Sequence, residues 1–255
     1  MVKGAVTTTA DEVWIKVNGV LAEVYNGQFV ANHVPLTEGN NVIVVNATDS
    51  NGGVGRAEVS VTAVIKPYVT LNANITSGIA PLAVHFSVST TIPNPAALYQ
   101  MDLDGDGVID FVGADFDNVS LTYTTEGIYY PKVTVTDALG NVYTDTLAIT
   151  VMNKETIDAL LKGKWTAMTN SLAVKDTATA LTFIASGSRS SYEEMFIALY
   201  DQLPAITATQ RELKVRYIAE NVAKYELVTL ENNQYYAYEV TFVKDAKGSW
   251  KILQY

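Results

Sequence analysis

The chain of 255 residues is 48% hydrophobic and carries a formal net charge of −10. That composition belongs to a folded protein, and that charge argues against nucleic acid, whose binding needs a basic face. The absence of cysteine excludes disulfides, zinc–thiolate centres and thiol nucleophiles, and no run of about 18 apolar residues offers a membrane span.

The length suits one large domain or two to three small ones, and the charge is segmented. Residues 1–66 hold four basic and six acidic residues, residues 67–152 hold one (Lys132) against nine, and residues 153–255 hold twelve of each. The start, MVKGAVTTTADEVW, lacks the basic and apolar segments of a secretory signal. The expectation is that such a signal has been removed or that the chain is a piece of something longer.

From the N-terminus, Val13, Ile15 and Val17 alternate as in a half-buried strand, and Val59 and Val61 repeat the pattern. Turn signals fall at VNGV, YNGQ, TEGNN and TDSNGGVG, at the spacing of a β-sandwich. Over residues 5–64 this segment resembles a bacterial immunoglobulin-like module. The resemblance implies a spacer of the kind strung along surface proteins. Lys66-Pro67 marks a linker and the boundary of a first domain, 1–66.

In the next domain, 67–152, Val84, Phe86 and Val88 alternate, as do Leu147, Ile149 and Val151. SGIAPLAVHF, YQMDLDGDG and TTEGIYYPKVTVTDALGN together resemble a polycystic kidney disease (PKD) domain, which implies a second small β-sandwich. Met101 stands where that family usually has an aromatic residue, and it can fill the same core space.

The middle of this segment, YQMDLDGDGVIDF, poses a chemical question. Asp102, Asp104, Asp106 and Asp110 fall at positions 1, 3, 5 and 9 of a D-x-D-x-D-G loop, with Gly107 at position 6 and the Val108 carbonyl at position 7. Alternate residues of a tight turn converge their oxygens on one point, as calcium requires. Position 12 is Gly113, so the bidentate glutamate is missing. Two readings stay open: a calcium loop, or a solvated turn built from good turn residues.

After Asn153 the period changes to that of a helix. Ile157, Leu160, Leu161, Trp165, Met168 and Leu172 share one face. A second helix is expected with Asp176 as its N-cap. A third is expected to start with the capping box Ser191/Glu194 and to run to Pro204. Strands are expected over 212–219, 222–231, 234–244 and 249–255. Helices followed by an antiparallel meander resemble the nuclear transport factor 2-like fold, which implies a cone-shaped α+β domain over 153–255.

On strand 234–244, Tyr236, Tyr238, Val240 and Phe242 face one way. That face reads either as core against Trp165 and Leu161 or as a ligand surface, with Glu226 a candidate to project into a cone. The two histidines, His33 and His85, lie in the β-modules, so a Ser/His/Asp triad has no host among the helices. The sequons at Asn46, Asn74 and Asn118 are treated as chance.

The fold class expected is therefore two all-β immunoglobulin-like sandwiches followed by an α+β cone. The function expected is that of a non-enzymatic segment of a secreted or cell-surface protein, acting as spacer and in adhesion. Its partner would be an extracellular polymer, glycan or protein, with calcium as the possible cofactor. The rivals are a small-ligand carrier and, less favoured, an isomerase or dehydratase.

Overall fold

The computed structural model describes residues 1–64, 69–219 and 221–255. The expected linker at Lys66-Pro67 lies outside the described residues. The chain divides into two compact units, Met1–Asn153 and Lys154–Tyr255. The first is all β; the second combines helices with an antiparallel sheet.

The first unit opens with β1 (Val2–Ala5), β2 (Val13–Val17), β3 (Val20–Tyr25), β4 (Gln28–Ala31), β5 (Gly39–Asp49) and β6 (Val54–Ala63), in the sheet order β1-β4-β3-β2-β5-β6. Two-residue turns at Asn18-Gly19 and Asn26-Gly27, all four at positive φ, close the β2–β3 and β3–β4 hairpins. This is the chemistry that a right-twisted hairpin demands. Strand β3 pairs with β2 up to Ala22 and with β4 from Glu23 onward. A strand that changes partner in this way turns a corner between layers. Ile15, Val17, Ala22, Phe29, Ala31 and Ile43 form the core so enclosed.

Next come β7 (Val69–Ala73), β8 (Ser77–Ile79), β9 (Leu82–Thr90), β10 (Ala96–Asp102), β11 (Phe111–Gly113) and β12 (Ser120–Tyr123). Then follow β13 (Gly127–Tyr129), β14 (Lys132–Asp137), β15 (Val142–Thr146) and β16 (Ile149–Met152). A three-stranded sheet β12-β9-β7 and a four-stranded sheet β11-β10-β14-β15 share one core. β16 pairs antiparallel with β13 and parallel with β8. Both layers supply it: Leu71, Val84 and Phe86 from one, Met101, Val133 and Val135 from the other. Met101 is fully buried, in the place the sequence assigns to a core residue. This segment is a β-sandwich.

One device closes three hairpins in the molecule. In Asp49-Ser-Asn-Gly52, Asp137-Ala-Leu-Gly140 and Asp245-Ala-Lys-Gly248 the glycine sits at φ +84 to +93 and its N–H donates to the aspartate carbonyl. Each aspartate carboxylate also accepts backbone N–H groups from two and four residues ahead. Aspartate supplies the acceptor and glycine the left-handed backbone, so D-x-x-G is a turn with a mechanism.

The second unit holds α1 (Lys154–Ala173), α2 (Thr177–Leu181), α3 (Arg189–Ala198), α4 (Leu203–Thr209), and the meander β17 (Gln210–Ala219), β18 (Val222–Glu231), β19 (Gln234–Lys244) and β20 (Trp250–Gln254). Helix α1 buries Leu161, Trp165, Met168 and Leu172, its apolar stripe. Asp176 caps α2, its carboxylate accepting from Thr179 N–H at 3.0 Å. The next helix departs from expectation. It starts after Ser188, so Ser191 and Glu194 lie inside it and form no capping box. It ends at Ala198, and Pro204 sits in the first turn of a separate α4. Proline lacks an N–H that the first turn does not use, so it starts a helix as readily as it stops one.

Candidate metal loop and C-terminal cleft

The aspartate loop joins β10 to β11 and is organised by its own backbone. Asp102, 6% exposed, accepts from Gly105 N–H at 2.7 Å and from Gly107 N–H at 2.9 Å. Asp104 accepts from Asp106 N–H at 3.1 Å, and Asp106 from Val108 N–H at 2.7 Å. Gly105 lies at φ +82, where a Cβ would stand 2.8 Å from the Tyr130 carbonyl oxygen, and Gly107 at φ +94. Only glycine fits the first position, and both suit a left-handed backbone.

The result is that one carboxylate oxygen each from Asp102, Asp104 and Asp106 falls within 4.8 Å of the others. Asp110 is drawn elsewhere: its carboxylate accepts from Leu103 N–H at 2.6 Å. Val108 has its side chain in solvent. The buried Tyr123 hydroxyl donates to the Leu103 carbonyl at 2.6 Å and pins the loop from beneath. Burial raises the Tyr123 pKa, with the charges of Asp104 and Tyr129 adding to the effect. Lys132 is the strand partner of Asp102 and projects outward.

In the second unit the sheet has two unlike faces. Leu213, Tyr225, Leu227, Val240 and Phe242 are buried on the helix side. Tyr238 lies opposite Leu227 and Tyr236 opposite Thr229, on that same side, yet they are 44% and 42% exposed. They are not core: the helices cover the Val240–Phe242 half of β19 and leave the first half open. The Tyr236 hydroxyl donates to Gln234 and that of Tyr238 to Glu231. Glu226 is on the far face, in an ion pair with Arg216. There it belongs to a ladder with Lys224–Glu239 at 3.1 Å. The structure brings Tyr236 and Tyr238 together and sets Glu226 apart from them.

A cleft of about 440 Å³ opens between α1, the end of α4 and the first two strands of this sheet. Thr166, Thr169, Gln210 and Arg211 line it, over a floor of Leu213 and Leu227. The Trp165 indole N–H donates to the Gln210 side chain at 3.1 Å within it. None of Tyr236, Tyr238 and Glu226 lines the cleft. The sequence signal missed was a polar stripe on α1, Lys162, Thr166 and Thr169, beside the apolar one.

Deeper in the unit the Asp158 carboxylate approaches the buried Tyr225 hydroxyl. Burial, together with that negative charge, raises the phenol pKa. Lys162 holds the other face of Asp158 at 2.7 Å. Neither Asp158 nor Tyr225 lines the cleft.

No family profile matches this chain, and no curated protein matches it. Among solved structures it is similar to the PKD1 domain of the Vibrio cholerae metalloprotease PrtV, at 24% identity over 34% of this chain and 98% of that one, with a TM-score of 0.28. It is similar to the PKD domain of an M14-like peptidase from a Thermoplasmatales archaeon, at 22% identity over 35% and 98%, TM-score 0.28. Fibronectin(III)-like modules of Clostridium thermocellum CbhA align at 16% identity over 59% and 83%, TM-score 0.27.

Proposed function

We propose that this chain is a non-enzymatic segment of a secreted or cell-surface modular protein, in which residues 1–66 and 67–152 form a jointed spacer and residues 153–255 a nuclear transport factor 2-like recognition module. The observation that carries the spacer reading is a joint built from one side chain. Asn32, just beyond β4, donates from Nδ2 to the Ala148 carbonyl at 2.9 Å and accepts from Ala148 N–H at 2.9 Å. Its amide thus pairs with a peptide group as a neighbouring strand would. Lys3 lies 4.2 Å from the centre of the Tyr130 ring, adding a cation–π contact across the same boundary.

The expected outcome of Asn32→Ala is a loosened joint. In ¹⁵N relaxation of the full chain, residues 1–64 and 69–153 should tumble with one correlation time, and with two in the variant. Two correlation times in the unaltered protein would sink the spacer reading.

The aspartate loop is proposed to take calcium through Asp102, Asp104 and Asp106, because their converged oxygens repel one another without a cation. Asp110, held by Leu103 N–H, would join only if the loop rearranged, and the Val108 carbonyl is proposed as a further ligand. A second reading, ligand capture by the third module, is supported by the cleft. Its threonines, Gln210 and Arg211 suit a hydroxyl-rich molecule, and the open Tyr236 and Tyr238 offer ring faces nearby. Linear oligosaccharides added to the full chain should shift the Trp165 indole N–H resonance and leave those of Trp14 and Trp250 in place. No shift at Trp165 would remove the cleft as their site.

A further inference from the structure

We propose that β6 is a self-recognition edge, through which two copies of this chain pair antiparallel about Ala57. Strand β6 is the last strand of its sheet and runs ten residues, VGRAEVSVTA, without a break in register against β5. Edge strands are normally blunted by proline, charged side chains, a bulge or a short length. β6 has no proline, no bulge and full length, and its two charges, Arg56 and Glu58, are opposite in sign. Its side chains stand open as well: Val54 is 83% exposed and Val59 51%.

The hydrogen-bond parity of the edge can be read from its neighbours. Val44 N–H donates to the Asn18 side chain and Val44 C=O accepts from Asn18 N–H, so even-numbered residues of β5 turn toward β2. Asp49 N–H donates to the Gly53 carbonyl, so odd-numbered residues of β5 bond to β6. Antiparallel pairs alternate strictly. With Val45 opposite Ala57 and Ile43 opposite Val59, the odd residues of β6 are therefore satisfied by β5. The N–H and C=O groups of Val54, Arg56, Glu58, Ser60 and Thr62 point outward.

An incoming strand must place its own outward-facing residues opposite these, and a second copy does so about a two-fold axis at Ala57. In that register Arg56 of each copy faces Glu58 of the other, Val54 faces Ser60, and Gly55 faces Val59. The reciprocal charge pairs specify the partner. Moving the axis by one residue sets Arg56 against Arg56 or Glu58 against Glu58, and like charges directly opposite are destabilising. Within one copy Arg56 and Glu58 already lie side by side as an ion pair, on the same face of the strand. Two such pairs would merge into a four-charge array of alternating sign. The interface is isologous, as two-fold symmetry requires.

The test is sedimentation velocity of the full chain, with oxidative crosslinking as a second readout. A single strand pair buries little surface, so dimer is expected at concentrations on the order of 0.1 mM. Arg56→Glu and Glu58→Arg should each raise the dimer dissociation constant about tenfold or more, and the double swap should restore it. Both side chains are largely solvated, so neither change disturbs a core. The chain has no cysteine, so Ala57→Cys gives one thiol on the axis. That is a non-hydrogen-bonded pair with Cα atoms about 4.5 Å apart, within disulfide range. Under oxidised glutathione it should link faster than Val54→Cys, which faces Ser60. Two results would overturn the proposal. One is a monomer at that concentration whose Ala57→Cys links no faster than Val54→Cys. The other is a dimer unmoved by either swap, which would assign association to a different face.

Discussion

Asp137 shows how much one carboxylate can organise without a cation. It is 2% exposed, and its oxygens take four N–H donors, all between 2.8 and 2.9 Å. Leu139 and Asn141 give backbone groups; Asn94 and Asn141 give side-chain amides. The Asn141 amide leads in holding the carboxyl pKa down at about 2, and Asn94 adds to it against the cost of burial. The folded-state pKa is below the unfolded value of about 3.9, so the stabilisation is present above that value and is lost as pH falls toward 2. The thermal midpoint of the first unit should therefore drop between about pH 4 and pH 2, and Asp137→Asn should flatten that limb. An unchanged acid limb in the variant would show that other carboxylates govern it. The motif was legible as TDALGN. Its Asn94 ligand, 43 residues upstream, was not, because nothing local marks a residue for a distant turn.

At the scale of elements, the sequence speaks clearly where a local rule decides and poorly where extent of cover decides. The D-x-x-G turns, the Asp176 cap and the apolar stripe of α1 follow from local chemistry. The first half of β19 does not. Alternation assigns Tyr236 and Tyr238 to the same face as Phe242, but it cannot say how far along the strand the helices reach. Glu226 is a related case: the residue that holds it on the far face, Arg216, lies one strand away, where alternation along β18 gives no sign of it. The β10–β11 loop lies between these cases. Its D-x-D-x-D-G spacing foretold the convergence of three carboxylates, but not the capture of Asp110 by Leu103 N–H. With a dissociation constant near 0.1 mM, about 1 mM calcium should stabilise this module by roughly 1.4 kcal/mol. That is a midpoint rise of about 6 °C. It should vanish in Asp104→Asn/Asp106→Asn and on chelation. An equal rise in that variant would move the calcium to other residues.

Over the whole molecule the charge is divided as the sequence divides it. Residues 67–152 carry one basic residue against nine acidic, and residues 153–255 balance. Self-repulsion of this kind weakens a compact state and is screened by salt over about 8–10 Å. Raising sodium chloride should therefore slow amide exchange across β7–β16 and leave β17–β20 little changed. Equal protection in both units would mean that specific ion effects outweigh the net charge. Composition made this asymmetry plain from the start. The joint within the first unit was hidden, since Asn32 stands in ANHVPL with no neighbour to suggest that its partner is Ala148.

That joint also carries a shelf life. An asparagine that loses its amide nitrogen becomes aspartate, nearly the same size and shape, but able only to accept when ionised. At residue 32 the change would turn the donor facing the Ala148 carbonyl into a second acceptor, and an attraction into a repulsion. Slow chemical ageing at a single atom would then unhinge two modules whose folds remain intact.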